Sequence, residues 1–544
     1  MASKLSLELK NILGKGAFSE IGHPTGFYWN RDRTRFAIAS SFGYIQWSAR
    51  GMTTRMRLRY RVSIYETKNI KRLAVLDDLH YPINDIAFHQ HLNLVAIATG
   101  CYDGGYFFEG DLVAWDYKDN KHRSLLQESR EVVKCSFEDE GDTLSFIIKP
   151  ATEEDEDGNS IEDKLYGYKT NKYLEGKIIL EESAEITLDE AKDYEKVAIM
   201  NALEIEKLLK TLALENNNYY EERMLIWDLI WRNSDEIICT GSKFALELWN
   251  TRGEKKLHID EVENGVQLFM VPNGEKVLIN VNNYNNLLDM KLSQGSSIHE
   301  VEIESRKLTK RVSKDYPLSL SLSSEGYFLA RNCDCMRSKK KSVASDFILD
   351  NNLNQIESYY FGYYDFINNY IQINGKPELF FIQGTPKESH ENQWVCTINP
   401  ITKIIRRLFP LEWNEKRNYH LFSDGGCYCE DELGEALVLA TRIYNGRGNG
   451  DTILMRRDLK KGNLTWEAIF KSQITALVFS KEHSSIIFAL SEGKIGAISS
   501  INGLIEFMDE VTIDGVPSVI MSLSYYNGNI AGGTVDGMIM HYKI

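Results

Sequence analysis

Residues 54–62 read TRMRLRYRV, with an arginine at every second position: Arg55, Arg57, Arg59 and Arg61. On a strand, a period of two sends alternate side chains to opposite faces. Met56, Leu58, Tyr60 and Val62 are therefore expected to pack on a neighbour while the four guanidinium groups face outward. A guanidinium holds a carboxylate or phosphate through two parallel hydrogen bonds, which an ammonium cannot do. The chain carries 78 acidic against 63 basic side chains, a formal charge of −15, so its field repels nucleic acid. The stripe is accordingly read as a contact for an acidic segment of a partner protein. The plainer alternative is a charged strand that stays soluble and blocks edge pairing.

Other patterns offer weaker chemistry. Cys333-Asp334-Cys335 and Cys427-Tyr428-Cys429 could supply four thiolates to zinc. Their spacing is one residue short of the usual metal pair, and a free cysteine commonly serves as a small buried hydrophobe. Residues 151–163 form an acidic loop in which Asp155, Asp157, Asn159 and Asp163 surround Gly158, in the manner of a calcium loop. The glycine is out of place for an EF-hand and no helices flank it, so a solvated acidic insertion is the better reading. His89 and His91 fall in a hairpin turn. The segment NGRGNGDT (445–452) lies between two strands and reads as a hairpin loop. Basic runs at 306–314 and 337–342 read as solvated inter-strand loops. Phosphate-loop, nucleophile-elbow and zinc-helix signatures do not occur. No metal and no cofactor is expected.

The elements that must position these residues are strands. Aromatic and β-branched side chains suit a pleated, half-buried surface; the chain is 11% aromatic, with 28 Tyr and only 10 Pro. One unit recurs: an apolar strand, a short polar turn, and a second apolar strand. It spans 26–40, 83–100, 132–148, 225–241, 266–281, 317–330, 371–384, 426–441, 474–490 and 518–533. Asn273-Gly274 marks the clearest turn. Alternating third strands are expected at 110–119, 244–253, 286–295, 451–460 and 538–544, and polar fourth strands after residues 70 and 120. Hairpins start about 40 to 60 residues apart, the period of four-stranded propeller blades.

The strand endings Trp115-Asp116 and Leu248-Trp249-Asn250, with Gly22-His23, resemble the WD40 repeat. The resemblance implies an all-β fold, a β-propeller of four-stranded antiparallel blades. The last blade is one strand short, and the N-terminal segment 4–10 is expected to complete it, closing one large ring. Residues 1–183 would hold the first blades and residues 224–544 the remainder. Between them, 184–223 carries one inserted amphipathic helix over 187–218. Its expected capping box is Thr187 with Glu190, its apolar face includes Ala191, Tyr194, Ala198, Ala202, Ile205, Leu209 and Leu212, and Asn216 to Asn218 end it. That face either docks a partner or covers its own blade.

The opening residues lack a signal-peptide core and no window is long and apolar enough to span a membrane, so the expected location is cytoplasmic. The functional expectation is a non-catalytic scaffold binding one or more proteins inside a multiprotein assembly. An enzyme with a site at the mouth of the central channel, or a nucleic-acid-associated subunit, are the alternatives.

Overall fold

The computed structural model describes residues 5–544 except 43–44, 48–52, 56–58, 179, 181–183, 187–199, 272–275, 283–294, 333–345, 362–370, 373–375, 384–392, 412–419 and 445–450. The fold is all-β, built from ten consecutive sheets, antiparallel but for one short parallel pair, and two small two-stranded ribbons, with one α-helix among the described residues. Eight sheets have four strands laid side by side in chain order, apart from the last, which borrows its fourth from the N-terminal end; the eighth has five, the extra one being Ile371–Gln372. The seventh shows three: Leu379–Gln383, Gln393–Ile398 and Ile405–Leu411.

The chain folds as two compact units. One comprises Gly16–Gly43 and Arg57–Glu222 and holds the first three sheets. The other comprises Met1–Lys15, Tyr44–Met56 and Arg223–Ile544 and holds the remaining seven.

In the three-sheet unit, Val62, Ile64 and Leu76 of the first sheet pack on Ile86, Val95, Ile97 and Trp115 of the second. Ala96, Ala98 and Leu112 of the second meet Leu144, Phe146 and Ile148 of the third. The helix, α1 (Ala202–Glu215), lays Ile205, Leu209, Leu212 and Ala213 against Phe27, Phe36 and Ile38 of the first sheet. It therefore covers its own unit. The expected capping box at Thr187 lies outside the described residues. The described helix is capped instead by Asn201, whose side chain accepts from the Glu204 N–H while the Glu204 carboxylate accepts from the Asn201 N–H. Its C-terminus does fall at Asn216, followed by Asn217 with φ +52°.

In the seven-sheet unit each sheet shares an apolar core with the next, from the fourth through to the tenth. The tenth then packs on the fourth: Leu13, Ala531 and Ile539 meet Ile226, Leu229, Trp231 and Ile237. The approach is close. A Cβ on Gly533 would lie 2.4 Å from the Ile226 side chain, so only glycine fits there.

The N-terminal strand does complete the last sheet. Glu8–Leu13 runs antiparallel to Ile539–Lys543, with Glu8 opposite Lys543 and Leu13 opposite Ile539. It begins four residues later than the expected segment 4–10. The order of packing also departs from the expectation of a single ring through every sheet, because the completed tenth sheet pairs face to face with the fourth inside one unit.

Three strand expectations are corrected. Residues 371–372 do not form a hairpin with Leu379–Gln383; they pair in parallel with Gly426 and Cys427. The third strand of the fifth sheet is Ser296–Glu302, not 286–295, most of which lies outside the described residues. Residues 307–314, read as a loop, form the fourth strand of that sheet.

A finer repeat is superimposed on the sheets. In eight of the ten, the pairing of first and second strands skips one residue near the start of the first strand, for example at Asn84, Trp227, Val266 and Met521. Such a bulge turns a side chain out of the ladder and re-aims it. Here side chains at or beside the bulge reach the first strand of the next sheet. Asp85 accepts from the Cys135 N–H (3.1 Å), Asp228 from the Leu268 N–H (2.8 Å), and Gln267 from the Leu320 N–H (2.9 Å). Thr475 donates to the Ile520 carbonyl (2.5 Å), and Ser522 to the Ile226 carbonyl (3.4 Å). These polar latches fix the order and spacing of the sheets that the apolar cores hold together.

Candidate functional site

The arginine stripe is interrupted by burial. Arg59 and Arg61 lie on Arg59–Glu66, the third strand of the first sheet, which is covered on both faces. Arg61 is 1% exposed. Its Nε donates to Asp77 Oδ1 at 2.9 Å, Nη1 donates to the Glu20 carbonyl, and the guanidinium lies 4.2 Å from the Phe42 ring centroid. Arg59 Nη1 sits 3.5 Å from the other oxygen of Asp77. The outward-facing expectation is thus overturned for Arg61. A strand flanked by strands within its sheet and by packing on both faces has no solvent side, so its polar residues must find partners inside. Arg55 belongs to the short strand Thr53–Arg55, paired with Ile45–Trp47. Arg57 lies outside the described residues.

The same device recurs. In the sixth sheet, Arg331 pairs with Asp346 (3.4 Å), donates to the Ile382 carbonyl of the seventh, and lies 5.5 Å from the Phe381 ring. In the eighth, Arg456 reaches Asp431 at 2.8 Å. The strongest case is Glu247, wholly buried on Leu246–Asn250. Its carboxylate accepts a two-pronged grip from Arg223, Nη1 at 2.8 Å and Nη2 at 2.5 Å. It also meets Trp249 Nε1 at 2.8 Å, His258 Nδ1 at 3.0 Å and Lys255 Nζ at 3.3 Å. Burial pushes the carboxyl up, but Arg223, His258 and Lys255 outweigh it and hold the group far below the ordinary range. Arg223 Nε in turn donates to the Gly537 carbonyl at 2.7 Å, tying the fourth sheet to the tenth. These partners hold the carboxylate ionised. It is a fastening.

Of the other sequence candidates, Cys427 and Cys429 are buried in the core shared by the eighth and ninth sheets. Burial raises both thiols, Cys429 to about 11, which disfavours the thiolate that a metal needs. Cys333 and Cys335 lie outside the described residues, as do 337–342. Trp115 is buried and donates to Asn120 Oδ1 at 3.0 Å, while Asp116 accepts from the Lys118 and Asp119 N–H groups of the following turn. His89 Nδ1 accepts from the His91 and Leu92 N–H groups (3.0 Å each), and Nε2 lies 3.1 Å from the Tyr173 hydroxyl. Nδ1 thus serves the turn while Nε2 meets Tyr173 outside it, and burial lowers the pKa of this imidazole.

The acidic insertion is folded, and most of its residues are exposed to solvent, as expected. Asp155 accepts from the N–H groups of Asp157 (3.0 Å) and Asn159 (2.8 Å), and Gly158 at φ +79° closes the turn. Ile161 N–H donates to the Glu153 carbonyl (2.8 Å), and Tyr102 to the Glu153 carboxylate (2.6 Å). With Asp155 occupied by the loop's own amides, the oxygens do not converge as calcium ligands. The folded loop instead walls a cavity of about 490 Å³ at one end of the second and third sheets. Tyr106, Tyr166 and Tyr168 line it with Arg130, Glu154 and Glu156. No spacing in the sequence joins these residues, which come from four separate connections and strands.

Fold and sites together define an all-β repeat protein built mainly of four-stranded antiparallel sheets. No protein-family model matches the chain, and no curated protein is detectably similar to it in sequence.

Proposed function

We propose that the seven-sheet unit is a WD40-like β-propeller and that the protein is a non-catalytic scaffold binding other proteins within a multiprotein assembly. The observation that carries the propeller reading is the packing order: each sheet from the fourth to the tenth shares a core with the next, and the tenth with the fourth. Repetition of the bulge latch, and an N-terminal strand completing the C-terminal sheet, support it. Rigid repeat scaffolds present loops and edges for recognition.

The partner is proposed to offer an acidic segment. Supporting this, the edge strand Lys307–Lys314 carries Lys307, Lys310 and Arg311 exposed to solvent. In the stripe, Arg59 and Arg61 are engaged by Asp77, so its share of the contact rests on Arg55 and Arg57. The free thiols of the described cysteines suit a reducing, cytosolic compartment.

The test is affinity purification of the full chain from its native cell, read by mass spectrometry. Reversing Arg55, Arg57, Lys307 and Lys310 to Glu is expected to remove the co-purifying protein without changing thermal unfolding. Undiminished capture would sink the acidic-partner reading.

A further inference from the structure

We propose that the cavity beside the acidic loop is a binding site for a ligand that carries a carboxylate and a cationic group on one molecule, such as a basic amino acid or a chain terminus ending in one. The proposal rests on the three-sheet unit alone and does not depend on the propeller reading.

The first support is Arg130. Its Nε is buried and has no hydrogen-bond partner among the described residues. The nearest carboxylate, that of exposed Glu128, stays 3.9 Å from Nη2. A buried Nε left unmet is costly even in a side chain 22% exposed, and Arg61, Arg223 and Arg331 by contrast hold a carboxylate within hydrogen-bond distance. A ligand carboxylate would meet those donors through the two-pronged geometry that arginine favours.

The second support is the acidic loop. Glu154 and Glu156 line the same cavity and make no ion pair among the described residues, while Asp155 between them is held by the loop amides. Two uncommitted carboxylates disfavour a dianionic phosphate but suit a cation. Tyr106, Tyr166 and Tyr168 supply ring faces on which a guanidinium or ammonium can rest. The volume, about 490 Å³, is that of a small-molecule site.

The experiment is calorimetric titration of the full chain with L-arginine and, separately, with the peptide Ala-Tyr-Arg bearing a free C-terminal carboxylate. Binding of either is expected, and which one binds tells a free amino acid from a chain terminus. L-Arginine amide, lacking the carboxylate, and citrulline, lacking the side-chain cation, are each expected to bind at least about tenfold more weakly. Arg130→Gln should abolish binding with thermal unfolding unchanged. If that variant fails to fold, the exposed pair Glu154→Gln and Glu156→Gln should weaken binding by about tenfold. No heat from either ligand at millimolar concentration, or equal binding by the amide and citrulline, would overturn the proposal.

Discussion

Four arginines spaced by two read as a surface, and Arg61 turned out to be interior. Period-two alternation predicts which side chains share a face; it does not say whether that face sees water. The distinguishing signal was the neighbouring strand RFAIASSF, which after its leading arginine is apolar or small and so belongs to the middle of a stack. Glu247 and Asp228 were likewise legible only as polar residues inside apolar strands, because their partners Arg223 and Leu268 are fixed by packing. Glu247 yields a pH prediction. Its carboxyl titrates far lower in the folded chain than the ordinary value near 4.3, so the folded state gains from its charge above that pH. The gain is lost as pH falls toward the depressed folded value. Glu247→Gln should therefore cost about 3 kcal/mol in urea unfolding at neutral pH, with the gap to the parent narrowing only below about pH 4. A gap that is the same at pH 7 and pH 3 would contradict the role assigned to this carboxylate.

At the scale of the element, nine of ten hairpins were readable because turn residues and apolar runs are local signals. The tenth, at 371–384, misled because two apolar runs flanking a glycine look alike whether they pair with each other or elsewhere. The bulges left no mark in composition, since an extra residue changes no residue type. In α1 the apolar spacing predicted Ile205, Leu209 and Leu212 on one face, and they are buried against the first sheet. Leu209→Ala should lower stability by roughly 2–5 kcal/mol, whereas Leu203→Ala, at a position 77% exposed, should change it by less than about 0.5 kcal/mol. Denaturant titration of both variants checks this. Comparable losses would mean that the helix does not seat as described.

For the whole molecule, the repeat was legible and its division was not. Even spacing says that units stack, but the division into three sheets and seven depends on contacts between residues hundreds of positions apart, such as Leu13 with Ile226. Deleting residues 1–13 should expose the edge of Ile539–Lys543 and convert monomer to aggregate on a sizing column; adding the peptide LSLELKNILG (5–14) in trans should restore it. Persistence of the monomer without the peptide would show the strand to be dispensable. This shared sheet also bears on synthesis at the ribosome. The chain emerges N-terminus first, and the three-sheet unit is drawn entirely from residues 16–43 and 57–222. That unit can settle early, while the opening strand must wait for codons more than five hundred positions downstream. Until Ile539–Lys543 leaves the exit tunnel, Glu8–Leu13 is an unmatched strand beside a growing polypeptide, and chaperone demand should concentrate there.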